Sequence, residues 1–287
     1  MLSTFSIVAC DLRARQWGVA VQSKFLAAGA VVPFAQAEVG AIATQAHANT
    51  SYGPRGLALL AHGLSASEAL QQLIESDAER DARQVGLVDT HGRAAAFTGK
   101  ACMDWAGHHI GDGYCCQGNI LAGAEVVAAM ARAFESSSGS LAERLLAALA
   151  AGQAAGGDRR GQQAAGLLVV QDKGGYAGYN DRLIDLRVDD HTTPIAELQR
   201  VLKLHQLYFG KPRAEDLLPI RGDLAREIQQ IVTRAKFYDG PVTGEYDAAT
   251  RDALTRLIHT ENLEEREQTD ATIDRVALEF LRERIGG

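Results

Sequence analysis

Strand-like and helix-like periods alternate in blocks along this chain. Thr4 to Cys10 reads as a short strand, Gly18 to Ser23 as a second, and the polar stretch Asp11 to Gln16 between them predicts a β-hairpin. Val39 to Gln45 is a third strand-like run. The period then lengthens. Leu57, Leu60, Leu64, Leu70, Leu73 and Ile74 fall on helical spacing, with a break at Gly63 and an N-cap at Ser65 or Ser67, so two helices are expected between Gly53 and Ser76. Gln84 to Asp89 and Arg93 to Thr98 flank the turn signal His91-Gly92 and predict another hairpin, and Tyr114 to Asn119 a further strand. Glu125 to Phe134 and Leu141 to Gly152 are alanine-rich and amphipathic, separated by a serine-rich loop, and form a second helical pair. Ala164 to Gln171 and Ile184 to Val188 return to strand character.

Clustered strands with paired helices differ from the strict alternation of a doubly wound parallel sheet. They predict an α+β domain of mainly antiparallel sheets, two of them stacked between two helical layers. From Thr193 the character is helical. Pro194 occupies a first-turn position, and Leu198, Val201, Leu202, His205 and Leu207 repeat at helical spacing. Breakers at Gly210-Lys211-Pro212 and from Pro219 to Gly222 put a boundary near Tyr208, giving domains 1–207 and 208–287. In the second, Leu224 to Phe237, Ala248 to His259 and Thr269 to Arg284 predict a small all-α three-helix domain.

Composition narrows the function classes. With 46% hydrophobic and 23% charged residues the chain can bury a sizeable core. A formal net charge of -7, with no Lys/Arg block, speaks against nucleic acid as a partner. There is neither an export signal nor an apolar run long enough to span a bilayer, so no membrane partner and a cytoplasmic location are expected. Cys10, Cys102, Cys115 and Cys116 lack C-x-x-C spacing, and adjacent Cys115 and Cys116 would point to opposite faces of a strand, so reduced thiols are expected. His108-His109 with His47 or His91 lack the spacing of a metal site, and no metal or other cofactor is expected.

Several blocks carry a family resemblance. Thr4-Phe5-Ser6-Ile7-Val8-Ala9, Gln22-Ser23-Lys24-Phe25 with Gly29, Ala43-Thr44-Gln45-Ala46, Ser51-Tyr52-Gly53-Pro54-Arg55-Gly56, Arg83-Gln84-Val85-Gly86, Gln117-Gly118-Asn119 and the stretch Ala155 to Gln162 resemble, in order, the domain-of-unknown-function family 1028. That family is grouped with the N-terminal nucleophile hydrolases. The resemblance implies a four-layer α-β-β-α sandwich and a Thr, Ser or Cys nucleophile at the free N-terminus of a strand. It places that role on Thr4, whose own α-amine, with a pKa of about 8 when free, would be the general base. The opening is also similar to that of proteasome-type β subunits, which puts a site-tuning charge on Lys24 and a substrate contact on Ser23. In the tail, Val242 to Asp247 with Thr250, Ala253 and Leu254 resemble a peptidoglycan-binding-like module.

Other site candidates come from the residues themselves. Gln45, Asn49 and Asn119 are amides near strand ends, able to steady an oxyanion or hold substrate, or simply to shape loops. Asp158 and Arg160, beside Gly156-Gly157, could meet an amine or a carboxylate, or close a salt-bridged loop. Thr4 reads equally as a β-branched strand residue, with Ser3, Ser6 and Cys10 as lesser nucleophiles. Met1-Leu2-Ser3 precede it, and bulky Leu2 opposes simple methionine removal, so a free amine requires cleavage after Ser3. The expected activity is hydrolysis of a small amide or short peptide, with a muropeptide as a possible ligand and a homo-oligomer as the expected assembly. The alternative is a binding or scaffold protein that retains the fold, its tail binding muropeptide or mediating oligomerisation.

Overall fold

The computed structural model describes residues 4–286. The chain divides into two compact units, one running to Arg200 and the other from Val201. In the first, β1 (Thr4–Asp11) and β2 (Gln16–Ser23) form the opening hairpin. Asp11 closes its turn by accepting the backbone N–H groups of Arg13 and Ala14, each at 3.0 Å. There follow β3 (Pro33–Gln36), β4 (Gly40–Ala46), α1 (Tyr52–Ala61), α2 (Ala66–Glu75), β5 (Arg83–Asp89), β6 (Ala94–Thr98), β7 (Gly107–Gly111) and β8 (Tyr114–Asn119). The unit continues with α3 (Ala124–Ser136), α4 (Leu141–Ala154), β9 (Ala164–Val170), β10 (Arg182–Val188) and the first half of α5 (Pro194–Phe209).

The strands make a six-stranded sheet, β10-β9-β2-β1-β8-β7, and a four-stranded sheet, β3-β4-β5-β6, with every pairing antiparallel. Alternation sorts their side chains. Val8, Trp17, Val19, Val21, Cys115 and Leu168 of the larger sheet pack with Ala41, Ala43 and Val88 of the smaller one. On the far face of the smaller sheet Ile42, Val85 and Leu87 meet Tyr52, Leu60, Leu70 and Leu73 of α1 and α2. The paired helices α3 and α4 pack against each other, and α4 against β1 and β2. Both α2 and α4 start with reciprocal capping boxes, Ser65 with Glu68 and Ser140 with Glu143.

Two strands of these sheets escaped the hydrophobic pattern. β3 and β7 are edge strands, β3 starting at Pro33 and β7 carrying His108 and His109 between glycines, so neither shows the alternation of a half-buried strand. Pairing with β4 and β8 orders them.

The second unit contains the end of α5, β11 (Leu217–Pro219), α6 (Asp223–Arg234), α7 (Ala248–Thr260), β12 (Thr272–Asp274) and α8 (Arg275–Ile285). Its core gathers Ile228, Ile231, Val232, Leu254, Leu257, Ile273, Leu278 and Leu281. The antiparallel pair β11 and β12 corrects the all-α expectation. Thr269 to Asp274 is not helical because Ile273 pairs with Leu218, while the Asp274 carboxylate accepts the Val276 N–H at 3.2 Å and starts α8 only at Arg275. Arg266 is the buried cation of this unit. It pairs with Asp274 and donates to the carbonyls of Leu207 at 2.6 Å and Gln206 at 2.7 Å.

Candidate functional site

Thr4 is the first residue of β1, and β1 lies between β2 and β8 in the larger sheet. Register sets Thr4 opposite Ser23 on one side and Asn119 on the other, and all three are fully buried. The Thr4 hydroxyl donates to Ser23 Oγ at 3.1 Å. From the facing sheet Gln45 reaches across, its Nε2 standing 3.3 Å from the Thr4 carbonyl and 2.9 Å from Gln84 Oε1.

A chain of neutral side chains extends from there. Gln117 Nε2 donates to Ser6 Oγ at 2.7 Å, Ser6 donates to Gln45 Oε1 at 2.6 Å, and Asn119 Nδ2 donates to Gln84 Oε1 at 3.0 Å. Gln84 Nε2 in turn donates to the Gly118 carbonyl at 2.8 Å and to Thr98 Oγ1 at 2.9 Å, and Thr98 meets His108 Nδ1 at 2.9 Å. Gly86 makes room for this layer: a methyl group there would lie 2.2 Å from Gln117 Oε1. Such a network holds dipoles in fixed directions where water is excluded, which is what stabilisation of a developing oxyanion requires.

Among the described residues Thr4 has no carboxylate, imidazole or amine as a hydrogen-bond partner, so the side chains around it supply no base to its hydroxyl. The cysteines are no substitute. Burial pushes the Cys10 and Cys115 thiols up to about 12, and Cys116 well above its ordinary value, so they stay protonated at neutral pH. All four cysteines are free. Burial, with the neighbouring His109, lowers the pKa of His108 and keeps it neutral.

The remaining sequence candidates gather elsewhere. Lys24 is exposed and its ammonium donates to the Gln162 carbonyl at 3.2 Å. Asp158 accepts the Lys24 N–H at 3.0 Å and the Arg160 guanidinium at 3.1 Å, so this carboxylate ties the end of β2 to the glycine loop. Asn49 donates to Asp77 at 3.0 Å and accepts from Ser51 at 2.7 Å. Thus Ser23, Gln45 and Asn119 come together with Thr4, whereas Asn49, Asp158 and Arg160 serve local ties.

Asp77 is the centre of a second cluster that sequence reasoning missed. It accepts from Arg83 Nε at 2.9 Å, from Tyr52 at 2.9 Å and from Asn49, and these donors, the Arg83 bond first, hold its pKa far below the carboxylate range. A depressed folded-state pKa stabilises the protein above the unfolded value of about 3.9 and is lost as pH falls beneath it. Asp77→Asn is therefore expected to flatten the acid limb of stability below about pH 4, read as urea midpoints against pH. An unchanged acid limb would show the pair to be inconsequential.

Gln84 and Gln117 carry no site role in the sequence reading, and Ser6 enters it only as a lesser nucleophile, although their signal is visible. Each is a polar residue at a strand position whose alternation partners, such as Val8, Val88 and Cys115, face the inter-sheet core. Only the register of four strands shows that they converge.

Residues 4–198 match the model described as "Family of unknown function (DUF1028)". The chain belongs to this family. Residues 208–281 match a second model, "Putative peptidoglycan binding domain". Among solved structures the chain is similar to family member SPO2555 from Silicibacter pomeroyi, a crystal structure 31% identical to it, with a TM-score of 0.65 over 72% of this chain and 90% of that one. No curated protein matches. Among the described residues no helix is long and apolar enough to cross a membrane, and no group of three or more His, Cys, Asp or Glu could hold a metal ion.

Proposed function

We propose that this family member is an N-terminal nucleophile amidohydrolase whose nucleophile is Thr4, built on a four-layer α-β-β-α sandwich. What supports the fold reading is the pair of antiparallel sheets sharing one core, with α1 and α2 on the smaller sheet and α4 on the larger. The observation that carries the chemical reading is the place of Thr4 itself. It begins a central strand, between Ser23 and Asn119, over a buried amide network, with no side-chain base in hydrogen-bond contact among the described residues.

That arrangement leaves one base of suitable reach, the α-amine of Thr4, which exists only after cleavage between Ser3 and Thr4. Residues 1–3 lie outside the described residues. In the processed chain the amine takes the hydroxyl proton as Oγ1 attacks a carbonyl carbon. The Asn119 amide, held by Gln84, and the Gln45 amide, which reaches the Thr4 carbonyl, are the donors assigned to the developing oxyanion. The proton then passes to the leaving amine, and water hydrolyses the acyl-enzyme by the reverse proton route. Lys24, whose ammonium donates to the Gln162 carbonyl, moves no proton in these steps and enters them only as a charge. The match of residues 208–281 to a peptidoglycan-binding model supports a small amide or short peptide of cell-wall origin as substrate, and a tail from residue 208 that acts as a separate module.

Intact-mass measurement of purified full-length protein, alongside an assay on small amides and muropeptides, tests the reading. The expected result is hydrolysis only by molecules lacking Met1 to Ser3. Turnover by chains with an intact N-terminus would remove the amine from the mechanism. An intact, inactive, muropeptide-binding protein would establish the scaffold alternative instead.

A further inference from the structure

A cavity of about 360 Å3 opens in the first unit away from Thr4 and its network. It lies where the free edges of the two sheets face one another, with β3 on one wall and β10 on the other, and with Pro54 and Leu57 of α1 closing it. Phe34, Leu167 and Leu168 line it with apolar surface. The volume falls at the lower end of small-molecule sites and has room for about a dozen non-hydrogen atoms.

Its charge comes from an irregularity in β10. A register shift between Arg182 and Ile184 puts Arg182, Asp185 and Arg187 on one face of the strand, opposite Val170, Leu168 and Gly166, while Ile184 and Val188 are buried on the other. Without the shift Arg182 would point away from the other two. Arg182 is neutralised by its ion pair with Asp185. The Arg187 side chain makes no hydrogen bond among the described residues, and its ion pair is a loose one, with Nε 4.0 Å from the half-exposed Asp189 carboxylate. The lining residues Arg182, Asp185 and Arg187 therefore leave one net positive charge in the cavity, with the Arg187 N–H donors not hydrogen-bonded, beside the apolar side chains of Phe34, Leu167 and Leu168. Inward charge on an edge strand also discourages edge-to-edge pairing, but that role calls for no cavity and no unpaired donor.

We propose that this cavity binds a small organic monoanion, a carboxylate with a compact apolar body, whose charge is taken by Arg187. A planar guanidinium matches a carboxylate with two parallel N–H donors, and the partly enclosed apolar wall strengthens the pair while covering the body of the ligand. The site is independent of hydrolysis at Thr4.

Calorimetric titration of the full chain with 3-phenylpropionate is the test, with 3-phenylpropanol and 3-phenylpropylamine as the neutral and cationic counterparts. The carboxylate should saturate one site per chain, with the alcohol at least tenfold weaker and the amine weaker still. Arg187→Met, which keeps the apolar stem, should lose at least tenfold in carboxylate affinity with the alcohol unaffected. Leu57→Trp, which fills the cavity, should abolish binding of all three. The comparison of charge states on the wild-type protein stands even where a variant fails to fold. Carboxylate and alcohol binding equally, no carboxylate binding at millimolar concentration, or full affinity in Arg187→Met would each overturn the proposal.

Discussion

Thr4→Ala should abolish amide hydrolysis by the processed protein, lowering kcat by on the order of a thousandfold or more, because the neighbouring Ser23 hydroxyl carries no α-amine of its own to take its proton. The loss should be nearly pure chemistry. The substitution keeps the β1 backbone and its register with β2 and β8, and removes one side-chain hydrogen bond, to Ser23. A net cost of about 1 to 2 kcal/mol in stability follows, with the fold intact. Thr4→Ser, which preserves the hydroxyl and the α-amine, should retain measurable turnover. Parallel measurement of kcat and of the chemical unfolding midpoint separates chemistry from folding. Undiminished hydrolysis by Thr4→Ala would move the nucleophile elsewhere, and a shared collapse of both quantities in the alanine and serine variants would make Thr4 a structural residue.

Arg266→Met in the second unit should give the largest loss of stability. Its guanidinium ties its own segment to two others, donating to Asp274 at the start of α8 and to the carbonyls of Gln206 and Leu207 near the end of α5. Asp274 is fully buried and Arg266 only 7% exposed. Removing the cation leaves a buried carboxylate without its counter-charge and the Leu207 carbonyl without that donor, while Gln206 keeps the Gly210 N–H, a loss of about 3 to 5 kcal/mol. Both tryptophans, Trp17 and Trp105, belong to the first unit, so their fluorescence is blind to this change. In urea the helical circular-dichroism signal of the variant should begin to fall well before the tryptophan transition, which should stay near its wild-type midpoint. Coincident, unshifted transitions would show that the pair adds nothing to the stability of the second unit.

The same contrast separates what could be read directly from what could not. The two helical pairs, the hairpins β1-β2 and β5-β6, and the shift to helix after Thr193 were legible because each is a property of neighbours in the chain. Leu57, Leu60 and Leu64 share a helix face by spacing alone, and the polar stretch Asp11 to Gln16 announces its turn without reference to anything distant. Family blocks added Thr4 and Ser23, and amide chemistry near strand ends added Gln45 and Asn119, and these four do lie together. Strands whose order depends on a partner were not legible: β3, β7, β11 and β12 are short or punctuated by proline and glycine, and only the neighbouring strand makes them extended.

Sequence by itself determined the helices, most strands, the acidic surface and the change of character toward the tail, because hydrophobic period and capping act over a few residues. Tertiary structure alone decided that Ser6, Gln45, Gln84, Gln117 and Asn119 form one hydrogen-bonded layer beside Thr4, and that the Lys24 ammonium donates to Gln162. The reason is register. Which amide meets which across two facing sheets is set by the alignment of strands far apart in the chain, and a slip of one residue would turn each of these side chains to the opposite face.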